Sequence, residues 1–237
     1  MLRTVKYGET SLIVSIFTEL FGLQSYLVNG VRASSKKGAG KANLFQPGAI
    51  LEMVVYHNEL KQLQRIKEFK WGVIYQKILI DVPVNAVALF IIELLSKCVK
   101  QPEANPDLYH FAEDALVHLD QSAGTVTANF PLYFAVHLPV FFGFRISDNF
   151  TQANSLLDLQ EGCFVHDPPP HANYLDDRPA AVTAELLRIQ HPADLSQLRL
   201  NHEFRRGLLQ AYEDYYALHL SDFGRLRTLP VLRAVLQ

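Results

Sequence analysis

The periodicity of the hydrophobic residues changes near residue 80, and this change constrains the fold more than any other feature. Up to about residue 75, short runs rich in β-branched and aromatic residues are separated by turn signals, a pattern typical of β-strands. After Pro83 the apolar residues recur at helical spacing. A chain of 237 residues with one such change predicts an α+β protein with a strand domain over 1–78 and an all-helical domain over 79–237.

The first segment predicts five short strands. They are Leu2–Tyr7, Ser11–Thr18, Leu23–Val28, Ala49–His57 and Leu60–Phe69. Asn58-Glu59 predicts a tight hairpin between the last two, and a long polar loop follows the third. Five strands with a long connection after the third fit a small barrel of the oligonucleotide-binding (OB) kind. An SH3-like barrel or a small open sheet fits the same pattern.

The second segment predicts six helices. They are Val84–Val99, Asp107–Leu119, Phe130–Phe144, Ala181–Ile189, His202–His219 and Leu229–Leu236. Pro139 is expected to end or kink the third helix, because proline lacks the N–H that a helix interior needs. Residues 145–178 form an irregular insertion with three consecutive prolines and one short strand near Cys163–Val165.

The chain carries no recognisable export or membrane signal. Its longest apolar runs, Ala86–Leu95 and Phe130–Phe144, are shorter than the ~20 residues that a membrane-spanning helix needs. Two cysteines, Cys98 and Cys163, cannot build a disulfide framework. The N-terminus lacks a charged segment followed by an apolar one. We therefore expect a soluble cytoplasmic protein with no membrane partner.

The formal net charge of −2 conceals two oppositely charged segments. Residues 1–77 contain 11 basic and five acidic residues, a balance of +6, whereas the remainder contains 11 basic and 19 acidic residues, a balance of −8. Opposite charge on differently patterned segments indicates two domains with different partners. The basic domain is the candidate for binding a polyanion.

Basic residues concentrate at two places in the first segment. A Ser- and Gly-rich loop holds Arg32, Lys36, Lys37 and Lys41, and the predicted fifth strand holds Lys61, Arg65, Lys67 and Lys70. In the strand the first three share one parity and are expected to line one face, with Lys70 outside it. Such cations bind phosphates without reading bases. The alternative interpretation is a solvated loop and a solubilising sheet face.

Catalytic and metal-binding patterns are absent from the sequence. Gly38-Ala39-Gly40-Lys41 has no P-loop spacing, and Ala42 stands where such a loop needs Ser or Thr. Neither GxSxG nor HExxH occurs. The candidate metal ligands lack the paired spacing of a structural zinc site; they are Cys98, Cys163, His166 and His171. We predict a non-enzyme with no metal and no cofactor.

Six segments of the chain together carry a family likeness. They are Leu2–Ser11, Phe17–Gly22, Asn29–Arg32, Phe45–Gly48, Leu132–Phe144 and Phe223–Leu226. In order and spacing they resemble the bacterial RecO recombinational-repair family over nearly the whole length. The resemblance implies an N-terminal OB-fold domain followed by a helical domain. It also implies binding of single- and double-stranded DNA and annealing of complementary strands.

The partners of the chain are likewise implied by the resemblance. The family works with RecR and contacts the acidic C-terminal tail of the single-stranded-DNA-binding protein (SSB), helping RecA load onto coated DNA. A nucleoid-associated cytoplasmic location follows. Carried over by position, the DNA-contacting candidates are Lys6, Arg32, Lys36, Lys37, Lys41, Lys61 and Arg65.

The sequence departs from the family pattern at two places. Many members have a four-cysteine zinc site in the segment corresponding to 145–175, where this chain has only Cys163 and, near one expected ligand position, His166. We predict a degenerate, metal-free, zinc-finger-like insertion ordered by Pro168–Pro170 and hydrophobic packing. The family usually has a few more residues before the position of Met1, so the pairing of the first strand is left open.

Strand annealing by such a protein needs no catalytic residue. Cations screen the repulsion between phosphates, and aromatic side chains stack on bases. Tyr7, Phe17, Tyr26 and Tyr56 are candidates for stacking or for the core. For the acidic tail, the candidate receptors are Arg205, Arg206, Arg225 and Arg227. Two other classes share the basic loop: an RNA-binding or translation-associated OB-fold module, and a protein-interaction scaffold.

Overall fold

The protein is α+β, with an N-terminal five-stranded sheet and a helical C-terminal region. The computed structural model describes residues 1–32 and 41–236, so Lys36 and Lys37 lie outside the described residues. The strands are β1 Arg3–Tyr7, β2 Ser11–Thr18, β3 Gly22–Val28, β4 Leu51–Tyr56, β5 Leu63–Trp71, β6 Leu156–Asp158, β7 Cys163–Val165 and β8 Tyr174–Leu175. The helices are α1 Val82–Cys98, α2 Pro106–Gln121, α3 Gly124–His137, α4 Asp177–Arg188, α5 His202–His219 and α6 Leu229–Val235. Short 3-10 helices span Lys41–Phe45, Leu138–Phe142 and Pro192–Gln197.

The large sheet has the strand order β1-β2-β3-β5-β4. Neighbouring strands are antiparallel except β3 and β5, which run parallel. The two outer strands of this order, β1 and β4, share no ladder, so the sheet is open and differs from the closed barrel we expected. Met1 partly bridges the gap, because its amine donates to the Ala49 carbonyl at 3.0 Å and its carbonyl accepts from the Gly48 N–H at 3.0 Å.

One face of the sheet is covered by its own apolar core. Val14, Ile16, Tyr26 and Phe45 belong to this buried cluster, with Met53 packed against it. The short 3-10 helix after β3 contributes Phe45, whose backbone carbonyl accepts a hydrogen bond from the Thr4 hydroxyl. The opposite face of the sheet therefore presents the alternate residues of every strand.

The turn between β4 and β5 is longer than the tight hairpin predicted at Asn58-Glu59. It covers residues 57–62, and the buried side chain of Gln64 holds it together. The Gln64 amide donates to the carbonyls of Asn58 (2.8 Å) and Lys61 (2.6 Å) and accepts from the Asn58 N–H (3.0 Å). These bonds fix a wide loop because they satisfy backbone groups that a two-residue turn would pair across the strands.

The sheet is joined to the helices by buried contacts. The Asp120 carboxylate at the end of α2 accepts backbone N–H bonds from Gln76, Lys77 and Ile78, at 2.7–2.8 Å. The Tyr75 hydroxyl donates to the Gly48 carbonyl at 2.8 Å. This connecting segment is therefore fixed to both the sheet and α2.

Helices α1 and α3 form the centre of the helical region. Most α3 residues are buried, and Pro131 lies inside the helix. As expected from Pro139, α3 ends at His137 and a 3-10 helix follows. The stretch Gly124–Phe142, 19 residues long, is apolar enough to cross a membrane by length and composition, but most of it is buried as core in the structure.

The segment predicted to be irregular contains a small three-stranded sheet, so the C-terminal region is not all-helical. Its strand order is β7-β6-β8, and only β7 had a sequence signal. Asn149 pairs with the backbone of Phe164, accepting from its N–H (2.9 Å) and donating to its carbonyl (2.8 Å). Asp158 accepts from the N–H groups of Gln160 and Glu161. These contacts, together with the packing of Phe150 on Phe164, order the segment.

A zinc ion does not fit the residues of this segment. His166 directs Nδ1 at the Ala153 carbonyl (2.7 Å), whereas His171 lies 3.5 Å from Asp158. Burial and the nearby Asp158 and Glu161 raise the pKa of the Cys163 thiol, which disfavours the thiolate that zinc needs. In 1–32 and 41–236, no group of three or more His, Cys, Asp or Glu side chains is arranged to hold a metal.

Candidate nucleic-acid interface

The face of the large sheet opposite its own core carries a row of side chains that crosses all five strands, and the helices cover only its Phe17–Leu23 end. Cross-strand register places Val5 opposite Ile13, Ile13 opposite Leu27, Leu27 beside Arg65, and Arg65 opposite Tyr56. We call this row, with its neighbours on the same side of the strands, the outward face. Its apolar centre is half-buried, and its β5–β4 end carries an exposed cation and an exposed aromatic ring.

Two of the predicted cations lie close together at that end. Arg65 is exposed on β5, and Lys61 is exposed in the preceding turn. Both line one cleft with Tyr56 and Leu63. Neither has a salt bridge to a carboxylate in the described part of the chain, so both positive charges are available to an anion.

The other two strand cations lie beside carboxylates. The Lys67 ammonium is 3.5 Å from Glu68, and the Lys70 ammonium is 2.7 Å from Glu52. The predicted alternation of sides along β5 was wrong here, because β5 has a bulge. Val54 pairs with Glu68 and Val55 with Ile66, which leaves Lys67 with no residue opposite it on β4. The extra residue shifts the alternation, so Lys70 falls on the same side of β5 as Arg65.

The remaining predicted cations lie near the other end of the sheet or outside the described residues. Arg32 is fixed at the β1–β2 turn, where its guanidinium donates to the Gly8 carbonyl at 3.2 Å and its N–H to the Thr10 carbonyl at 3.0 Å. Lys6 is exposed on β1 and pairs with buried Leu12, so it belongs to the covered side at the free edge. Lys41 begins the 3-10 helix after the basic loop.

The four candidate aromatics separate into two groups. Tyr7 and Tyr56 are exposed, at 54% and 63%, on the outward face. Phe17 and Tyr26 are buried, at 7% and 0%, and belong to the two apolar cores. Burial also raises the pKa of Tyr26 to about 12. Of this set, Tyr7 and Tyr56 are exposed, and only Tyr56 lies in the cleft that contains Lys61 and Arg65.

Sequence reasoning did not select Arg3 as a candidate. It is exposed on β1 and pairs with Ser15, which in turn pairs with Ser25, so it lies on the outward face. The sequence could have indicated this, because alternate residues of a strand share a face and Arg3 alternates with Val5 and Tyr7.

The four candidate arginines for a protein partner have different environments. Arg205 is half-buried, donates to the Leu200 and Leu236 carbonyls, and lines a cleft with Arg199; burial lowers its pKa. Arg206 and Arg227 are both exposed. The backbone N–H of Arg227 donates to the Glu93 carboxylate. Arg225 is engaged within the protein, with Glu213 at 2.8 Å and Asp214 at 3.0 Å.

Family models match both parts of this architecture. The model described as Recombination protein O N terminal matches residues 1–72, and that described as Recombination protein O C terminal matches residues 81–229. The chain belongs to the RecO family. A curated relative, the DNA repair protein RecO of Bacteroides fragilis, is 32% identical over 234 residues, which is 98% of this chain and 95% of that protein.

Other relatives cover the chain to the same extent. The DNA repair protein RecO of Flavobacterium psychrophilum is 32% identical over 237 residues, 99% of this chain and 96% of its own length. That of Azobacteroides pseudotrichonymphae is 26% identical over 234 residues, 99% of this chain and 95% of its own length. The resemblance to RecO drawn from the sequence segments is confirmed.

Proposed function

We propose that the chain is a recombinational DNA-repair mediator that binds single- and double-stranded DNA and anneals complementary strands. With RecR it helps load RecA onto SSB-coated DNA. The observation that carries the proposal is the outward face, where exposed Tyr56 and Arg65 are cross-strand neighbours and Lys61 lies at the same cleft. Proteins that bind single strands combine aromatic rings, on which bases stack, with cations that contact the phosphates. Membership of the RecO family supports the same conclusion.

We further propose that the N-terminal sheet is of the OB kind and that the domains are 1–78 and 79–237. The order β1-β2-β3-β5-β4 with one parallel pair supports the first statement. Two apolar clusters support the second: one consists of residues in 1–78 alone, and the other is centred on the helices and is joined by sheet residues such as Phe17. The proposed location is the cytoplasm, in association with the nucleoid.

Annealing on this surface is a non-catalytic process. Two DNA strands repel each other through their phosphates, and cations such as Arg65 and Lys61 lower that repulsion. Exposed rings keep bases unstacked and accessible while pairing begins. Duplex formation then covers the base faces and removes their contacts with the exposed rings, while the phosphate contacts, which read no sequence, remain.

The proposed receptor for the acidic C-terminal tail of SSB includes Arg205 and Arg206 at the start of α5. The cleft beside Arg205 also contains Arg199 and the first residues of α3, whose N-terminus lacks a side-chain cap. Free N–H groups at a helix N-terminus and arginines both favour carboxylates. Replacing Arg205 and Arg206 with Gln is expected to weaken binding of the tail peptide. Unchanged peptide affinity in a folded variant rejects this receptor.

The repair function is tested by annealing complementary DNA oligonucleotides coated with SSB. We expect the protein to accelerate annealing, and a variant with Arg32, Lys36, Lys37 and Lys41 replaced by Gln to do so poorly. Its salt slope for single-strand binding is expected to fall by about 3, because each lost phosphate contact removes about 0.7. An RNA-dedicated module anneals RNA but not coated DNA. A scaffold without a DNA role binds no single strand at low salt.

A further inference from the structure

The turn between β4 and β5 encloses a cleft of about 440 Å³ on the outward face. Leu27 and Leu63 supply apolar lining, Tyr56 stands exposed beside them, and Lys61 and Arg65 supply positive charge. The volume lies within the range of about 300–1,000 Å³ seen for small-ligand pockets. The cleft thus offers apolar contact, an aromatic ring and two cations within one nucleotide-sized space.

Polar groups in the cleft are held in position by the fold. Gln64 fixes the turn through the Asn58 and Lys61 backbone, and His57 stacks on Phe21 with ring centroids 3.9 Å apart. The turn and this ring stack therefore hold the lining of the cleft in place.

We propose that this cleft holds one unstacked nucleobase of a DNA single strand, with Tyr56 as its stacking partner and Arg65 and Lys61 on the adjoining phosphates. The proposal rests on the proposed function and deepens it. In a duplex both faces of each base are covered by neighbouring base pairs, so an intact duplex cannot fill the cleft. The cleft therefore adds base stacking to the phosphate contacts when the protein binds an unpaired strand.

The test compares two single strands of equal length and charge. One is a thymidine 12-mer, and the other has the same sugar-phosphate backbone with abasic tetrahydrofuran residues in place of the bases. Fluorescence anisotropy gives both affinities for the wild type, Tyr56→Leu and Tyr56→Phe. Tyr7→Leu is the matched control, because Tyr7 is an exposed tyrosine on the same face but outside the cleft.

We expect the wild type to bind the thymidine strand at least about fivefold more tightly than the abasic strand, the effect of one stacked base. Tyr56→Leu loses this preference, whereas Tyr56→Phe and Tyr7→Leu keep it. Equal wild-type binding of both strands overturns the proposal while leaving DNA binding intact. A preference that survives Tyr56→Leu, or that Tyr7→Leu removes equally, also overturns it. Failure to bind either strand at low salt overturns the proposed function itself.

Discussion

The charge arrangement along β5 and the turn before it predicts that two pairs of cations contribute unequally to DNA binding. Lys61 and Arg65 form no ion pair with a carboxylate in the described structure. Lys67 forms an ion pair with Glu68, and Lys70 forms one with Glu52. Replacing either pair with Gln removes the same formal charge from the same strand and its turn. Only the first replacement is expected to remove phosphate contacts, because the second pair is already partly neutralised.

The magnitude follows from counterion release. Each phosphate contact to a single strand contributes about 0.7 to the slope of log affinity against log salt, so losing two contacts lowers the slope by about 1.4. Between 50 and 200 mM salt, the wild type should therefore lose about sevenfold more affinity than Lys61→Gln/Arg65→Gln. For Lys67→Gln/Lys70→Gln we expect a slope change below about half a unit.

The assay is fluorescence anisotropy of a labelled single strand at four or more salt concentrations for the three proteins. Circular dichroism and a denaturation curve establish that each variant is folded. Equal slope changes in the two variants would show that the total charge of the domain, and not the cleft, governs binding. Both that result and an unchanged slope in Lys61→Gln/Arg65→Gln would refute the predicted difference between the two pairs.

Two further predictions concern the stability of the fold. Gly22→Ala is expected to lower the free energy of unfolding by about 3 kcal/mol or more, because φ is +61° and the new Cβ would lie 2.1 Å from the Glu103 carbonyl oxygen. Gly8→Ala, with φ +57° and open space around it in the described structure, should cost only about 1 kcal/mol in the same urea titration; equal costs would contradict the clash. For His137, burial lowers the pKa below 6.5 despite the hydrogen bond to the Leu186 carbonyl, so the unfolded chain takes up its proton first as pH falls. Stability should decrease from pH 7 to pH 5, and His137→Gln should flatten this dependence; an identical pH profile in the variant would contradict it.

The regular elements were predictable because their signals are local. Ser11–Thr18 and His202–His219 have the predicted bounds, since β-branched residues and helical spacing act within single segments. The bulge at Lys67 was not predictable, because it depends on how β5 pairs with β4. A strict alternation therefore assigned Lys70 to the wrong side.

The composition of the candidate site required tertiary information. Tyr26 and Tyr56 both lie in alternating strands, and only the packing of the sheet on its core decides that the first is buried and the second exposed. The small sheet of the C-terminal region was likewise hidden. Its strand Leu156–Asp158 has three residues, too few for a periodic signal, and is held by side chains such as Asn149 and Asp158.

We propose that DNA lies on the outward face of the N-terminal sheet, and photocrosslinking locates it there or elsewhere. A single strand containing 5-iodouracil is irradiated with the full-length protein, and the crosslinked peptides are identified by mass spectrometry. We predict crosslinks at Tyr56 and in the peptide containing Arg65. Crosslinks confined to residues 79–237, with none in the sheet, would contradict the account.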